Sequence, residues 1–152
     1  QIVGEFEDKL NAADLTLLIQ KPETPVYVMA DGRHFWRVID NLMNNICKYA
    51  QPGTRVYVDL RENGGQVELI FRNTSRYPLN ISSEELMERF VRGDESRNTE
   101  GSGLGISIAK SLMELMGGSF MLYVDGDLFK VVLGFAQMEE EKEPLDEDKS
   151  GK

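Results

Sequence analysis

The sequence predicts an α+β protein, a two-layer α/β sandwich in which a mixed, mostly antiparallel sheet is covered on one face by three helices. Three observations predict it: a strongly periodic helical stretch beginning at Asp31, short β-prone runs grouped into hairpins, and a second long helix that stops at a Gly-Gly pair. A doubly wound parallel sheet fits poorly, because hairpins outnumber β-α-β crossovers.

In chain order, Ile2 to Ala13 reads as a polar helix. Leu15 to Gln20 and Val26 to Met29 are β-prone runs, split by a segment whose prolines, Pro22 and Pro25, forbid a regular ladder, and together they suggest a pair of strands. The strongest helical pattern follows, with Asp31 as N-cap and Phe35, Val38, Ile39, Leu42, Met43 and Ile46 on one face. It stops near Gln51-Pro52-Gly53. Val56 to Leu60 and Val67 to Phe71, joined through Asn63-Gly64-Gly65, read as a β-hairpin.

Asn73 to Asn80 is irregular, and Ser82-x-x-Glu85 has capping-box spacing ahead of a short helix bearing Leu86, Met87, Phe90 and Val91. Arg92 to Gly103 is polar and glycine-bearing. A helix then runs from about Leu104 to Met116, with Leu104, Ile108, Leu112, Leu115 and Met116 on one face and Gly117-Gly118 as its stop. Ser119 to Val124 and Leu128 to Phe135 close the unit as a hairpin around Asp125-Gly126-Asp127. One domain over residues 1–137 and an acidic, disordered tail over 138–152 are expected; Glu139 to Lys152 holds seven acids and three lysines with almost nothing apolar to bury.

Composition narrows the function classes. Seventeen Lys and Arg against 26 Asp and Glu leave a net charge of −9, which argues against nonspecific attraction to nucleic acid or anionic lipid. The lone Cys47 excludes an intramolecular disulfide and a multi-cysteine metal site. No stretch approaches the roughly 20 apolar residues of a membrane-spanning helix.

Two patterns carry chemistry. Asn41, Asn45 and Lys48 recur one turn apart on the Asp31 helix and form a polar stripe. Asn45 sits beside the apolar face, so its neutral amide oxygen emerges at the edge of the core, where it suits a Mg²⁺ that keeps nucleotide phosphates as its other ligands. Lys48 can meet phosphate as a point charge. Taken alone, such a stripe is also the wet side of any amphipathic helix. Gly101-Ser102-Gly103-Leu104-Gly105 stands where a polar loop turns into a helix, so backbone N–H groups and the helix dipole can receive a triphosphate. It is neither a Walker A loop nor a dinucleotide fingerprint.

The two patterns occur in a meaningful order. Asn41-Leu42-Met43-Asn44-Asn45-Ile46-Cys47-Lys48-Tyr49 resembles the N box of bacterial sensor histidine kinases, Glu88 to Asp94 resembles their F box, and Gly101 to Ile106 resembles their second glycine box. The similarity runs from Leu15 to Phe135. It implies the Bergerat ATP-binding fold of the GHKL superfamily, with Asn45 as Mg²⁺ ligand, Asn41 and Lys48 facing the phosphates, and Tyr49 lining the nucleotide pocket. It further implies that Arg92 to Ser102 forms a mobile lid from which Arg92 reaches phosphate. The partners it implies are ATP, a helical dimerisation domain of the same kinase that carries the phosphoacceptor histidine, and a downstream response regulator. The implied location is cytoplasmic, at the cytosolic end of a membrane-anchored sensor, with no nucleic acid and no direct membrane contact by this fragment.

One departure stands out. Members of that family carry an Asp-x-Gly-x-Gly box after the strand that here ends at Phe71, whereas this chain reads Arg72-Asn73-Thr74-Ser75-Arg76-Tyr77-Pro78-Leu79, without a glycine. Asn73 takes the Asp position. Its oxygen still accepts a hydrogen bond from an adenine amino group, at a loss of charge assistance of about 1 kcal/mol.

Related ATPases carry a Glu four residues before the Mg-binding Asn; Asn41 occupies that place here and cannot act as a general base, which favours transfer to a nucleophile over hydrolysis. The only histidine, His34, lacks the acidic neighbour expected after a phosphoacceptor, so the acceptor is expected in another domain. Two rival readings are a degenerate, non-catalytic interaction module of the same fold and an ATPase of the same superfamily.

Overall fold

The computed structural model describes residues 2–79, 81–96 and 104–138, with the side chains at 2, 3, 90–96 and 104 outside the description. The elements are α1 (Ile2–Ala12), β1 (Thr16–Gln20), β2 (Tyr27–Val28), α2 (Gly32–Tyr49), β3 (Arg55–Asn63), β4 (Gln66–Thr74), α3 (Ser83–Ser96), α4 (Leu104–Leu115), β5 (Ser119–Asp125) and β6 (Leu128–Met138).

Local chemistry sets the ends of the helices. The Asp31 carboxylate accepts from the backbone N–H groups of Arg33 at 2.9 Å and His34 at 3.1 Å, as an N-cap does, and starts α2. Ser82 Oγ accepts from the Glu85 N–H at 3.1 Å ahead of α3, as its spacing predicts. At the end of α4, the Gly118 N–H reaches Met113 O and the Gly117 N–H reaches Glu114 O, with Gly117 at φ 78. This is a Schellman stop, and the left-handed residue it needs is glycine. The end of α1 repeats the motif with Asp14 at φ 57.

The sheet is mixed. β1 runs parallel to β3, while β3–β4, β4–β6 and β5–β6 are antiparallel. Along each strand, residues alternate between a face packed against the helices and an open face. Val56, Phe71, Phe129, Val131 and Leu133 meet Val38, Leu42 and Ile46 of α2 and Ile106, Ala109 and Met113 of α4 in one core.

Several expectations need correction. β1 and β2 are not partners: β1 lies at one edge beside β3, and β2 pairs with the end of β6. The described helices number four, because α1 also buries Phe6 and Leu10 in the core. The first hairpin is longer than its apolar runs, and β4 carries Asn73 and Thr74 within the strand. α3 continues through Arg92 and Gly93 to Ser96, so the polar stretch begins as helix. The inward face of α4 is centred on Ile106, Ala109 and Met113; of the expected face, Leu112 and Met116 pack against the core, while Leu115 is 70% exposed. Because Ser107 is buried on this helix while the apolar Leu115 is exposed, apolar periodicity alone does not mark its inner face. Small Ala109 on the inner face is compatible with the close packing of two helices.

Two consequences can be measured. A Cβ on Gly118 would lie 2.7 Å from the Gly134 carbonyl oxygen, so Gly118→Ala should cost about 1–3 kcal/mol in denaturant unfolding. Gly4→Ala, with nothing within 4 Å, should be neutral or stabilising. The hydrogen bond from the His34 N–H holds the Asp31 carboxyl below its ordinary value of 3.8. A lowered pKa contributes stability that is present above the ordinary value and lost as pH falls through the folded one. Asp31→Asn keeps the acceptor but does not titrate, so it should flatten the fall in unfolding midpoint below about pH 4.

Candidate functional site

The C-terminal half of α2 and the end of β4 reach the same side of the molecule. Asn45 and Tyr49 project from successive turns of α2, and Asn73 stands on the helix-facing side of β4, in register with Val56 on one side and Phe129 on the other. Between them opens a cavity of about 210 Å³, lined also by Ser75, Tyr77, Leu79, Leu86 and Phe129.

The segment after β4 has no glycine, and backbone hydrogen bonds hold it instead. The Gln51 N–H donates to Thr74 O at 2.8 Å, the Arg76 N–H to Tyr49 O at 2.8 Å, and the Ser75 N–H to Asp127 O at 2.7 Å. Ser75 also bridges to Ala50, and its hydroxyl oxygen accepts from the Tyr77 N–H at 3.3 Å. The end of α2 is thereby tied to the segment that supplies the cavity's outer wall.

The walls are apolar or aromatic, and the described polar groups are the amides of Asn45 and Asn73 and the hydroxyls of Tyr49, Ser75 and Tyr77. Asn73 is 5% exposed and its Oδ1 has no hydrogen-bond partner among the described residues. An unpaired buried acceptor is costly, and in a cavity wall it marks a place for a donor from a ligand. Apolar walls with few polar anchors suit a flat heteroaromatic group.

A second part of the candidate site lies where α4 begins. A Cβ on Gly105 would lie 3.4 Å from Asn41 Cβ and 3.5 Å from its carbonyl oxygen, so the first turn of α4 rests directly on α2. Asn41 precedes Asn45 by one turn, about 6 Å along the axis. The N-terminal amides of α4 and their dipole therefore lie next to the polar stripe. The Asn41 Nδ2 is buried with no partner among the described residues.

Of the residues expected from sequence, Asn45, Tyr49 and Asn73 meet in the cavity. Asn41 is outside its lining and packs against Gly105, which together with Leu104 opens α4. Lys48 is exposed, with its ammonium 5.6 Å from the centre of the Tyr49 ring. Arg92 lies on α3 with its side chain outside the described residues, and Gly101, Ser102 and Gly103 lie outside them altogether.

Sequence reasoning missed Ser75, Tyr77, Leu79, Leu86 and Phe129. Phe129 had a usable signal, since strand alternation puts it on the same face as Val131 and Leu133; the others depend on the course of an irregular segment. His34 lies in the first turn of α2, eleven residues before Asn45 and so about 16 Å away along the helix. Burial pushes the Cys47 thiol up from its ordinary value, which leaves it a protonated packing residue at neutral pH. Among the described residues no group of three or more His, Cys, Asp or Glu could hold a metal ion, and no helix is long and apolar enough to cross a membrane.

Comparison with known proteins places the chain in a family. Residues 30–144 match the family described as histidine kinase-, DNA gyrase B-, and HSP90-like ATPase. The chain is 29% identical over 88% of its length to the probable sensor kinase SilS of Salmonella typhimurium, of which it spans 28%. It is 34% identical over 70% of its length to the probable sensor protein PcoS of Escherichia coli, of which it spans 24%. In three dimensions it resembles the nucleotide-free catalytic domain of the histidine kinase ThkA, with a TM-score of 0.74 at 20% identity, over 89% of this chain and 87% of that one. With most of its length matched by one family and its helix-on-sheet architecture shared with a solved catalytic domain, the chain belongs to the histidine kinase-, DNA gyrase B- and HSP90-like ATPases.

Proposed function

We propose that the chain is the ATP-binding catalytic domain of a two-component sensor histidine kinase, which presents ATP to a histidine on a separate helical dimerisation domain. The observation that carries this reading is the convergence of Asn45, Tyr49 and Asn73 on one apolar-walled cavity beside the first turn of α4. The cavity takes the base and the α4 amides take the phosphates. The γ-phosphoryl passes to an imidazole nitrogen of the acceptor and ADP leaves.

Magnesium fits as an ion brought by the nucleotide. The described residues offer no carboxylate cluster for a resident metal, whereas the neutral amide of Asn45 lines the cavity on the α2 side, one turn from the Asn41 that meets α4. When bound, such an ion neutralises phosphate charge. Asn45 would hold it. Lys48 and Arg92 are proposed to add positive charge along the phosphates, and Gly101, Ser102 and Gly103 to lead their backbone amides to them. Asn41, sitting where a water-activating carboxylate would serve an ATPase, supplies no base, so phosphoryl transfer rests on positioning.

The remaining parts of the reading lie outside the chain. A response regulator receives the phosphoryl group, and the domain occupies the cytosolic end of a membrane-anchored sensor.

Asn45→Ala should lower Mg²⁺-dependent affinity for a nonhydrolysable ATP analogue by about tenfold or more, with the unfolding midpoint little changed. A wild-type chain without Mg²⁺-dependent affinity would instead be an interaction module. The chain alone should form no phosphohistidine and should phosphorylate a helical histidine segment added in trans. Steady phosphate release without an acceptor would mark an ATPase. Gly105→Val must push α4 away from Asn41 and should both destabilise the fold by about 1–3 kcal/mol and weaken nucleotide binding, whereas Gly105→Ala should be tolerated.

A further inference from the structure

The described lining of the cavity contains no carboxylate and no cation. Its polar groups are amides and hydroxyls, each able to donate or to accept, whereas a carboxylate can only accept. Asn73 is the most buried of the amides, at 5% exposure, and stands at the floor of the cavity between Val56 and Phe129. Its Oδ1 has no partner among the described residues, so no hydrogen bond from them to that atom fixes the plane of the amide. The terminal torsion of an asparagine is broad and roughly two-fold, and half a turn exchanges oxygen for nitrogen at nearly the same place. Ser75 adds a second adaptable group: its oxygen accepts the Tyr77 N–H, and its hydroxyl proton remains able to donate. The rings and aliphatic walls contact the faces of a base and do not distinguish its edge substituents.

We propose that Asn73 sets a relaxed purine specificity: its amide oxygen accepts from a 6-amino group and, after a half turn, its amide nitrogen donates to a 6-oxo group. The site therefore binds 6-oxo purine nucleoside triphosphates as well as ATP. This inference rests on the nucleotide reading of the cavity and goes beyond it, because it assigns the discrimination at one edge of the base to one side chain. An acceptor-only group at the same place would pair with the amino substituent and oppose the oxo substituent, leaving two acceptors face to face.

Inosine triphosphate is the suitable probe, since it differs from ATP at this edge of the base and keeps the same sugar and phosphates. Equilibrium titration of the full chain in Mg²⁺ should give dissociation constants for ATP and inosine triphosphate within about tenfold of each other. Asn73→Asp should widen the preference for ATP by a further tenfold or so, chiefly by weakening inosine triphosphate. Asn73→Leu, close in size and without polar atoms, should weaken both nucleotides alike and leave their ratio unchanged. That variant and the wild-type ratio decide the matter even if the buried carboxylate of Asn73→Asp prevents folding. A wild-type preference for ATP beyond about tenfold, an unchanged ratio in a folded Asn73→Asp, or a Leu variant that weakens ATP alone would each overturn the proposal. Binding of ATP without inosine triphosphate sinks this inference and leaves the nucleotide site standing, whereas binding of neither sinks both.

Discussion

The seating of α4 on α2 is the contact on which the site depends. α2 presents Val38, Leu42 and Ile46 to the core, and α4 answers with Ile106, Ala109 and Met113. At the end of that seam Gly105 meets Asn41 through its backbone, where any longer side chain would separate the helices. The contact fixes the first turn of α4, and with it a set of outward-pointing amides, one helical turn from Asn45. The same packing that buries the apolar stripe thus sets the first turn of α4 against α2, one turn from the cavity-lining Asn45. Stability and binding geometry share one constraint.

The opposite face of the sheet follows different rules. Asp59 points away from the helices, yet its side chain is only 3% exposed, with Arg72 at 2.8 Å and Arg61 at 3.5 Å. The Arg72 guanidinium lies 4.9 Å from the centre of the Tyr57 ring, and the Lys130 ammonium 5.4 Å from that of Tyr123. Among the described residues, charges stacked on aromatic rings cover this side without a second helical layer. The pairing of Asp59 with Arg72 also rests on the β3–β4 register, which sets Asp59 opposite Ile70 and Tyr57 opposite Arg72. A slip by one residue would turn these charges toward the core, so the ion pair and the apolar face specify the same alignment.

Much of the fold was legible because its signals are local. The Asp31 cap, the Ser82 cap, the glycines of the hairpin turns and the left-handed Gly117 each act within a few residues, and each marks a boundary found in the structure. The inner face of α4 was not legible. The sequence pattern favours Leu104, Ile108, Leu112, Leu115 and Met116, whereas the packed helix buries Ile106, Ala109 and Met113 fully, keeps Leu112 and Met116 at the margin of the core and exposes Leu115. The partners of β1 and β2 were hidden too, since strand pairing is a relation between distant segments.

The sequence by itself determined the chemical types available: neutral amides on α2, an asparagine where a charged acceptor was expected, and a glycine-bearing entry to α4. Their spacing in two helices and a hairpin already implied a nucleotide site. Tertiary structure decided which of these groups share a cavity. It joined Asn73 to Asn45 and Tyr49, and added Ser75, Tyr77, Leu79, Leu86 and Phe129 as walls. The physical reason is that one-turn spacing is a property of a single helix, whereas a cavity is the space left when several elements have finished packing.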